Sequence, residues 1–157
     1  MTHPQIAVVG PGDAQARELQ LACGVGRLLA ERGAVVVTGG LGGVMAAVCE
    51  GVSVVGGTSI GLLPGTDRAA ANSFVSIPVA TGLGEGRNVL VVRTADVVVA
   101  IGCSPGTLSE IALASCQGKP VVLLASYPDD LVPGCVTAAT PREAADLAFG
   151  FLADQAV

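Results

Sequence analysis

Apolar positions along the chain fall into short runs, and these alternate with stretches of helical spacing. Gln5 to Gly10, Ala34 to Val37, Thr58 to Leu63, Val97 to Ile101 and Val121 to Ala125 read as strands. Val97 to Ile101 is wholly apolar, the mark of a central parallel strand covered on both faces. Phe74 to Val79 alternates more weakly and contains Pro78, which suits a short strand nearer the edge. Asp13 is placed to cap a helix running to Arg32, with Leu21, Val25, Leu28 and Leu29 on one face and Gly33 just past its end. A second helix opens at Val44-Met45 and runs to about Val55, where Gly56-Gly57 ends it. Gly82 to Ala95 contains strand-forming Val89-Leu90-Val91-Val92, but the alternation of layers predicts a helix there. A helix from Thr107 to about Gln117 follows. After a loop through Pro133-Gly134 comes the last helix, with Thr140 as cap and Pro141 in its first turn.

This order predicts one domain over residues 1–157, a doubly wound, Rossmann-like α/β fold with a mostly parallel sheet and helices on both faces. Loops rich in Gly or Pro follow Val9, Val37, Leu63 and Ile101. In such a sheet these loops share one edge, and ligands bind there where the strand order reverses. Helices opening from the loops present free N–H groups and positive dipole ends, so an anionic ligand is expected. The candidate phosphate- or nucleotide-binding residues are Gly10, then Gly39, Gly40, Gly42, Gly43 and Met45, then Ser104, Gly106 and Thr107. Thr66 and Asp67 lie on a crevice loop without an assignable role.

Composition narrows the chemistry. Hydrophobic residues make up 51% and charged residues 13%, which leaves apolar surface to bury between subunits and predicts a homodimer or higher homo-oligomer. No run approaches the roughly 18 apolar residues of a membrane span, and no signal-like segment precedes the first strand, so a cytoplasmic, membrane-free protein is expected. A net charge of −5 with three Phe, one Tyr and no Trp argues against nucleic acid as partner. Lys119, the single lysine, lies at the start of a strand, on the edge opposite the crevice; this argues against a P-loop and a pyridoxal Schiff base. His3 is the single histidine, which excludes histidine metal sites and Ser-His or Cys-His triads within one chain. The five cysteines show no metal-ligand spacing; four read as small buried thiols, and Cys103 stands apart in the last glycine loop.

Carboxylates, arginines and hydroxyls remain. Arg87, in Gly84-Glu85-Gly86-Arg87-Asn88, is either a solvated helix-start arginine or a fork for a phosphate or carboxylate. Glu110, one turn inside its helix, either complements the helix dipole or faces what the loop holds. Asp96 reads as a structural cap at the far edge.

Ala95-Asp96 before the strand, Gly106-Thr107-Leu108-Ser109-Glu110 after it, Arg87 upstream and Gly39-Gly40-Leu41-Gly42-Gly43-Val44-Met45 form a combined pattern. It resembles the Lonely Guy (LOG) family of cytokinin-activating phosphoribohydrolases, also labelled lysine decarboxylase-like, over nearly the whole chain. The likeness is greatest to a small bacterial branch that also resembles molybdenum-cofactor carrier proteins. The resemblance implies hydrolysis of the N-glycosidic bond of a nucleoside 5′-monophosphate, with Glu110 and Arg87 catalytic, no cofactor required, and an AMP-like nucleotide or phosphate bound. The alternative it implies is a non-catalytic binding or carrier protein for a nucleotide or molybdopterin-type cofactor. Two departures stand out. Gly102-Cys103-Ser104-Pro105 replaces the family's Pro-Gly-Gly-x, and Asn88 replaces its lysine.

Overall fold

In the computed structural model, which describes residues 2–128 and 130–157, the apolar runs become seven strands. They are β1 (Gln5–Val9), β2 (Val35–Thr38), β3 (Ser59–Leu63), β4 (Ile77–Ala80), β5 (Val97–Ile101), β6 (Val121–Leu124) and β7 (Cys135–Ala138). Five helices alternate with them: α1 (Ala16–Glu31), α2 (Val44–Val54), α3 (Arg87–Thr94), α4 (Pro105–Cys116) and α5 (Pro141–Gln155). The sheet order is β4-β3-β2-β1-β5-β6-β7, and every neighbouring pair is parallel. The chain therefore winds outward from β1 to β4, returns to β5 beside β1, and winds outward again.

Alternate side chains of each central strand feed two cores. Ile6 and Val8 of β1 and Val97, Val99 and Ile101 of β5 pack with apolar residues of α1, α2 and α5. Ala7, Val9, Val98 and Ala100 pack on the other face with Val91 and Val92 of α3 and Ile111 and Ala114 of α4. Burial on both faces is why β5 needed no polar position at all. Helices α1 and α2 cross at close range because Gly26 and Gly51 lack side chains. A Cβ there would fall 2.1 Å from the Val48 carbonyl oxygen and 2.0 Å from that of Cys23.

Several expectations are corrected. Asp13 does not cap α1. The cap is Gln15, whose N–H donates to Glu18 Oε2 at 2.9 Å. The loop continues past Asp13, and its Pro11 carbonyl accepts from the Val44 N–H at 3.1 Å. Helix α4 begins at Pro105 rather than Thr107, with Ser104 as its cap. Helix α3 is shorter than Gly82 to Ala95, because Gly82 and Gly84 have φ of 66° and 57° and a tight turn precedes Arg87. β7 is an additional edge strand where a loop was expected, paired in register with β6 from Val121↔Cys135 to Leu124↔Ala138. Of the cysteines expected to be buried, Cys49 is, Cys23 and Cys135 are half-buried, and Cys116 is exposed near the end of α4.

The far edge of the sheet carries the structural polar groups. Asp96 Oδ2 accepts from the Gln5 N–H at 2.9 Å, as its capping role requires. Lys119 Nζ donates to the Arg93 carbonyl at 2.7 Å and to that of Ala95, closing the end of α3. His3 Nδ1 lies 3.2 Å from the Gly33 carbonyl oxygen. No helix among the described residues is long and apolar enough to cross a membrane.

Candidate functional site

The strand order reverses between β1 and β5, so the crevice expected in such folds opens at the carboxyl ends of these two strands. The loops after β1 and β2 are locked together there. Gly43 has φ 63°, and a Cβ on it would fall 2.3 Å from the Pro11 carbonyl oxygen, so both its conformation and its space require glycine. Gly10 is equally tight, since a Cβ there would lie 2.4 Å from the Ile101 carbonyl oxygen across the reversal. Beneath the loop after β2, Thr38 Oγ1 accepts from the Gly40 N–H at 3.0 Å. Asn72 holds the same loop from the β3–β4 connection. Its side-chain amide donates to the Leu41 carbonyl at 2.9 Å, and its backbone N–H donates to the Gly40 carbonyl at 2.9 Å.

A cavity of about 160 Å³ lies at the reversal. Gly10 and Gly12 wall it from the first loop, Gly39 and Met45 from the second, and Ser104, Gly106 and Thr107 from the third. Arg87 and Asn88 close it from α3, and Glu110 from α4. The structure thus brings together eight of the residues singled out in the sequence. Gly40, Gly42 and Gly43 do not reach the wall: Gly40 packs against Leu63 and Gly61, Gly42 is exposed, and Gly43 forms the join with the first loop. Cys103 is exposed and outside the wall. Gly12 and Asn88 are in the wall without having been selected. For Asn88 the signal was its place beside Arg87 on the first turn of α3.

The start of α4 is a weaker anion cradle than its loop suggests. Ser104 Oγ accepts from the Thr107 N–H at 3.1 Å and lies 2.8 Å from Thr107 Oγ1, so that amide is occupied. Pro105 has no N–H to offer. Gly106 supplies the remaining amide at the cavity wall. Replacing Ser104 by alanine removes the cap and is expected to cost about 1 kcal/mol, or roughly 2–4 °C in Tm, measurable by thermal unfolding.

Arg87 is the cation in the cavity wall, and it is half-buried rather than solvated. One terminal nitrogen donates to Asn88 Oδ1, and the other packs against Gly39, 2.8 Å from where a Cβ on that residue would be. Its Nε is buried with no hydrogen-bond partner among the described residues. Glu110 is only 9% exposed and lies in the second turn of α4, so it does not serve as a first-turn dipole partner. Burial pushes its carboxyl up to about 7, with the Arg87 charge acting in the opposite direction. The same burial pulls Arg87 below its usual range, and Glu110 opposes this. The two groups feel each other without contact: the ion pairs among the described residues are Arg27–Glu31 and Arg32–Asp146.

Comparison with known proteins places this arrangement among relatives. In sequence, the chain is 39% identical over 140 residues to an uncharacterized protein of Archaeoglobus fulgidus, covering 89% of this chain and 91% of that one. In structure it resembles the molybdenum cofactor binding protein from Rippkaea orientalis, with a TM-score of 0.92, 35% identity and coverage of 97% and 99%. The Moco carrier protein from Chlamydomonas reinhardtii gives a TM-score of 0.90 with 37% identity, covering 98% of this chain and 99% of that one. A sequence model of the SLOG cluster4 family matches residues 3–146, most of the chain. The chain belongs to the SLOG cluster4 family.

Proposed function

We propose that this chain binds and carries a phosphorylated heterocycle of the molybdopterin type and does not turn it over. The observation that carries this reading is Arg87, the half-buried cation in the wall of the cavity at the strand-order reversal. A phosphate monoester accepts from a guanidinium fork through two oxygens. Arg87 would hold the phosphate, with the Gly106 N–H beside it, and Glu110 would face a polar group of the ligand. The chemistry the group supplies belongs to the enzyme that finally receives it; the chain's part is to bind and shield. The carrier-type names of the Rippkaea and Chlamydomonas proteins support this ligand class.

Incubation of the chain with molybdenum cofactor released from a molybdoenzyme, followed by gel filtration, tests this. The cofactor is expected to co-elute, to be recovered intact and able to reconstitute the apoenzyme, and to raise Tm by about 5 °C or more when near-saturating. Absence of both co-elution and a Tm shift would overturn the reading.

A second reading, phosphoribohydrolase activity, is favoured by one observation: a carboxyl with a pKa near 7 shares the cavity with Arg87. Such a group can give or accept a proton at a glycosidic bond. Chromatography of AMP after incubation with wild type and with Glu110→Gln separates the two. Base release by the wild type alone would favour hydrolysis.

A further inference from the structure

The cavity at Arg87 has a larger neighbour. On the side of the α1–α2 crossing towards the helix starts, the two helices leave a groove of about 560 Å³. Ala14, Leu19 and Ala47 give it an apolar floor, and Phe74, 39% exposed, stands in its wall. Asp13 and Glu50 supply carboxylates, and no lysine or arginine lines it. Gly12 belongs to the walls of both hollows. A Cβ on Gly12 would meet nothing within 4 Å, so the space beside it is open. The cavity at Arg87, about 160 Å³, falls below the roughly 300–1,000 Å³ of sites that enclose a whole organic ligand. It takes a phosphate and the atoms next to it, and the remainder must lie elsewhere.

We propose that the α1–α2 groove is a second subsite, and that it takes a flat heteroaromatic ring with adjacent N–H donors, of the aminopyrimidinone kind, joined to the phosphate held at Arg87. The proposal rests on the carrier reading and specifies how that ligand lies. Phe74 offers a face for stacking, which is tolerant of ring identity. A carboxylate accepts two parallel N–H bonds, so Asp13 and Glu50 suit an amino group beside a ring N–H. Burial raises the Cys23 thiol above its usual range and the Glu50 charge adds to this, so Cys23 lines the groove as a neutral group. The groove is therefore negative and the inner cavity holds the cation. That polarity sets the ligand's direction, phosphate towards Arg87 and ring towards α1 and α2.

The test titrates the full chain with inorganic phosphate and with 6-hydroxymethylpterin phosphate, by calorimetry, with light scattering on each protein. Wild type is expected to bind the pterin phosphate at least about tenfold more tightly than phosphate. Phe74→Ala and Glu50→Gln, both at exposed positions, are expected to cut that margin to about threefold or less and leave phosphate affinity unchanged. Gly12→Val, which puts a side chain between the hollows, is expected to cut it as well. A margin that survives all three substitutions overturns the subsite and leaves the carrier reading standing. A change of oligomeric state in Phe74→Ala or Gly12→Val, with the margin intact, also overturns it by assigning the groove to a second copy of the chain. If wild type binds neither probe, the carrier reading itself fails and the subsite with it.

Discussion

Arg87→Ala is expected to weaken binding of a phosphate monoester by about a hundredfold or more, corresponding to ~2.7 kcal/mol. The expectation follows from how few groups share the task. The α4 start offers the Gly106 amide, because Pro105 has none and Thr107 gives its own to Ser104. No other arginine or lysine lines the cavity. A phosphate taken into this space without the guanidinium would be desolvated beside Glu110 with little in return, and charge-assisted bonds in such places contribute about 1.5–3 kcal/mol each. Arg87→Lys is expected to recover only part of the loss. Lysine is a point charge without the fork, so it cannot hold two phosphate oxygens at once. The fold itself should tolerate the change, because Glu110 can take up a proton when its neighbouring charge goes. Calorimetry with a pterin phosphate, beside unfolding curves, separates the two effects. Equal affinity of wild type and Arg87→Ala would remove Arg87 from the site.

Legibility in the sequence followed the physical character of each element. β5 was read to the residue because burial on both faces demands five consecutive apolar positions, a pattern with no polar noise. Thr140 and Pro141 were equally plain, since a cap and a first-turn proline act locally. β7 was missed because an edge strand of four residues needs neither a long run nor strict alternation. The true start of α1 was hidden for a different reason. Asp13 is the better cap by type, but the chain takes its cap two residues later, at Gln15, whose N–H is held by Glu18. In the site, Arg87, Glu110 and the loop glycines stood out as chemistry-bearing residues in a chain poor in charge. Asn72 did not, although it clamps the loop at Gly40 and Leu41, because only the β3–β4 connection brings it there from some thirty residues away. Gly40, Gly42 and Gly43, expected to face a ligand, lie outside the wall of the Arg87 cavity for a related reason. A glycine needed for backbone approach and a glycine needed for a ligand look alike until the neighbours are known.

Glu110→Gln is expected to stabilise the free protein at pH 8 by about 3 kcal/mol and to have little effect near pH 4.5. Burial raises the carboxyl from its ordinary 4.5 to about 7 in the folded chain. Below 4.5 the group is protonated in folded and unfolded states alike, and its burial carries no charge penalty. Between 4.5 and 7 the folded state holds the proton that the unfolded state has released, so stability falls as pH rises. Above 7 the folded chain holds a buried carboxylate, and the full penalty is present. The Arg87 charge acts against that penalty but is outweighed by desolvation, since the net shift is upward. Glutamine keeps the shape without the charge, so the variant should escape the pH-dependent loss. The difference in Tm between the two proteins should therefore be near zero at pH 4.5 and roughly 6–12 °C at pH 8. Ligand binding should show the same group from the other side. A phosphate brought next to Glu110 favours the protonated carboxyl, so wild-type affinity is expected to fall as pH rises through 7, with proton uptake visible as a buffer-dependent heat. Glu110→Gln should flatten that profile. A variant whose stability and affinity follow the wild-type pH dependence would place the titrating group elsewhere in the cavity.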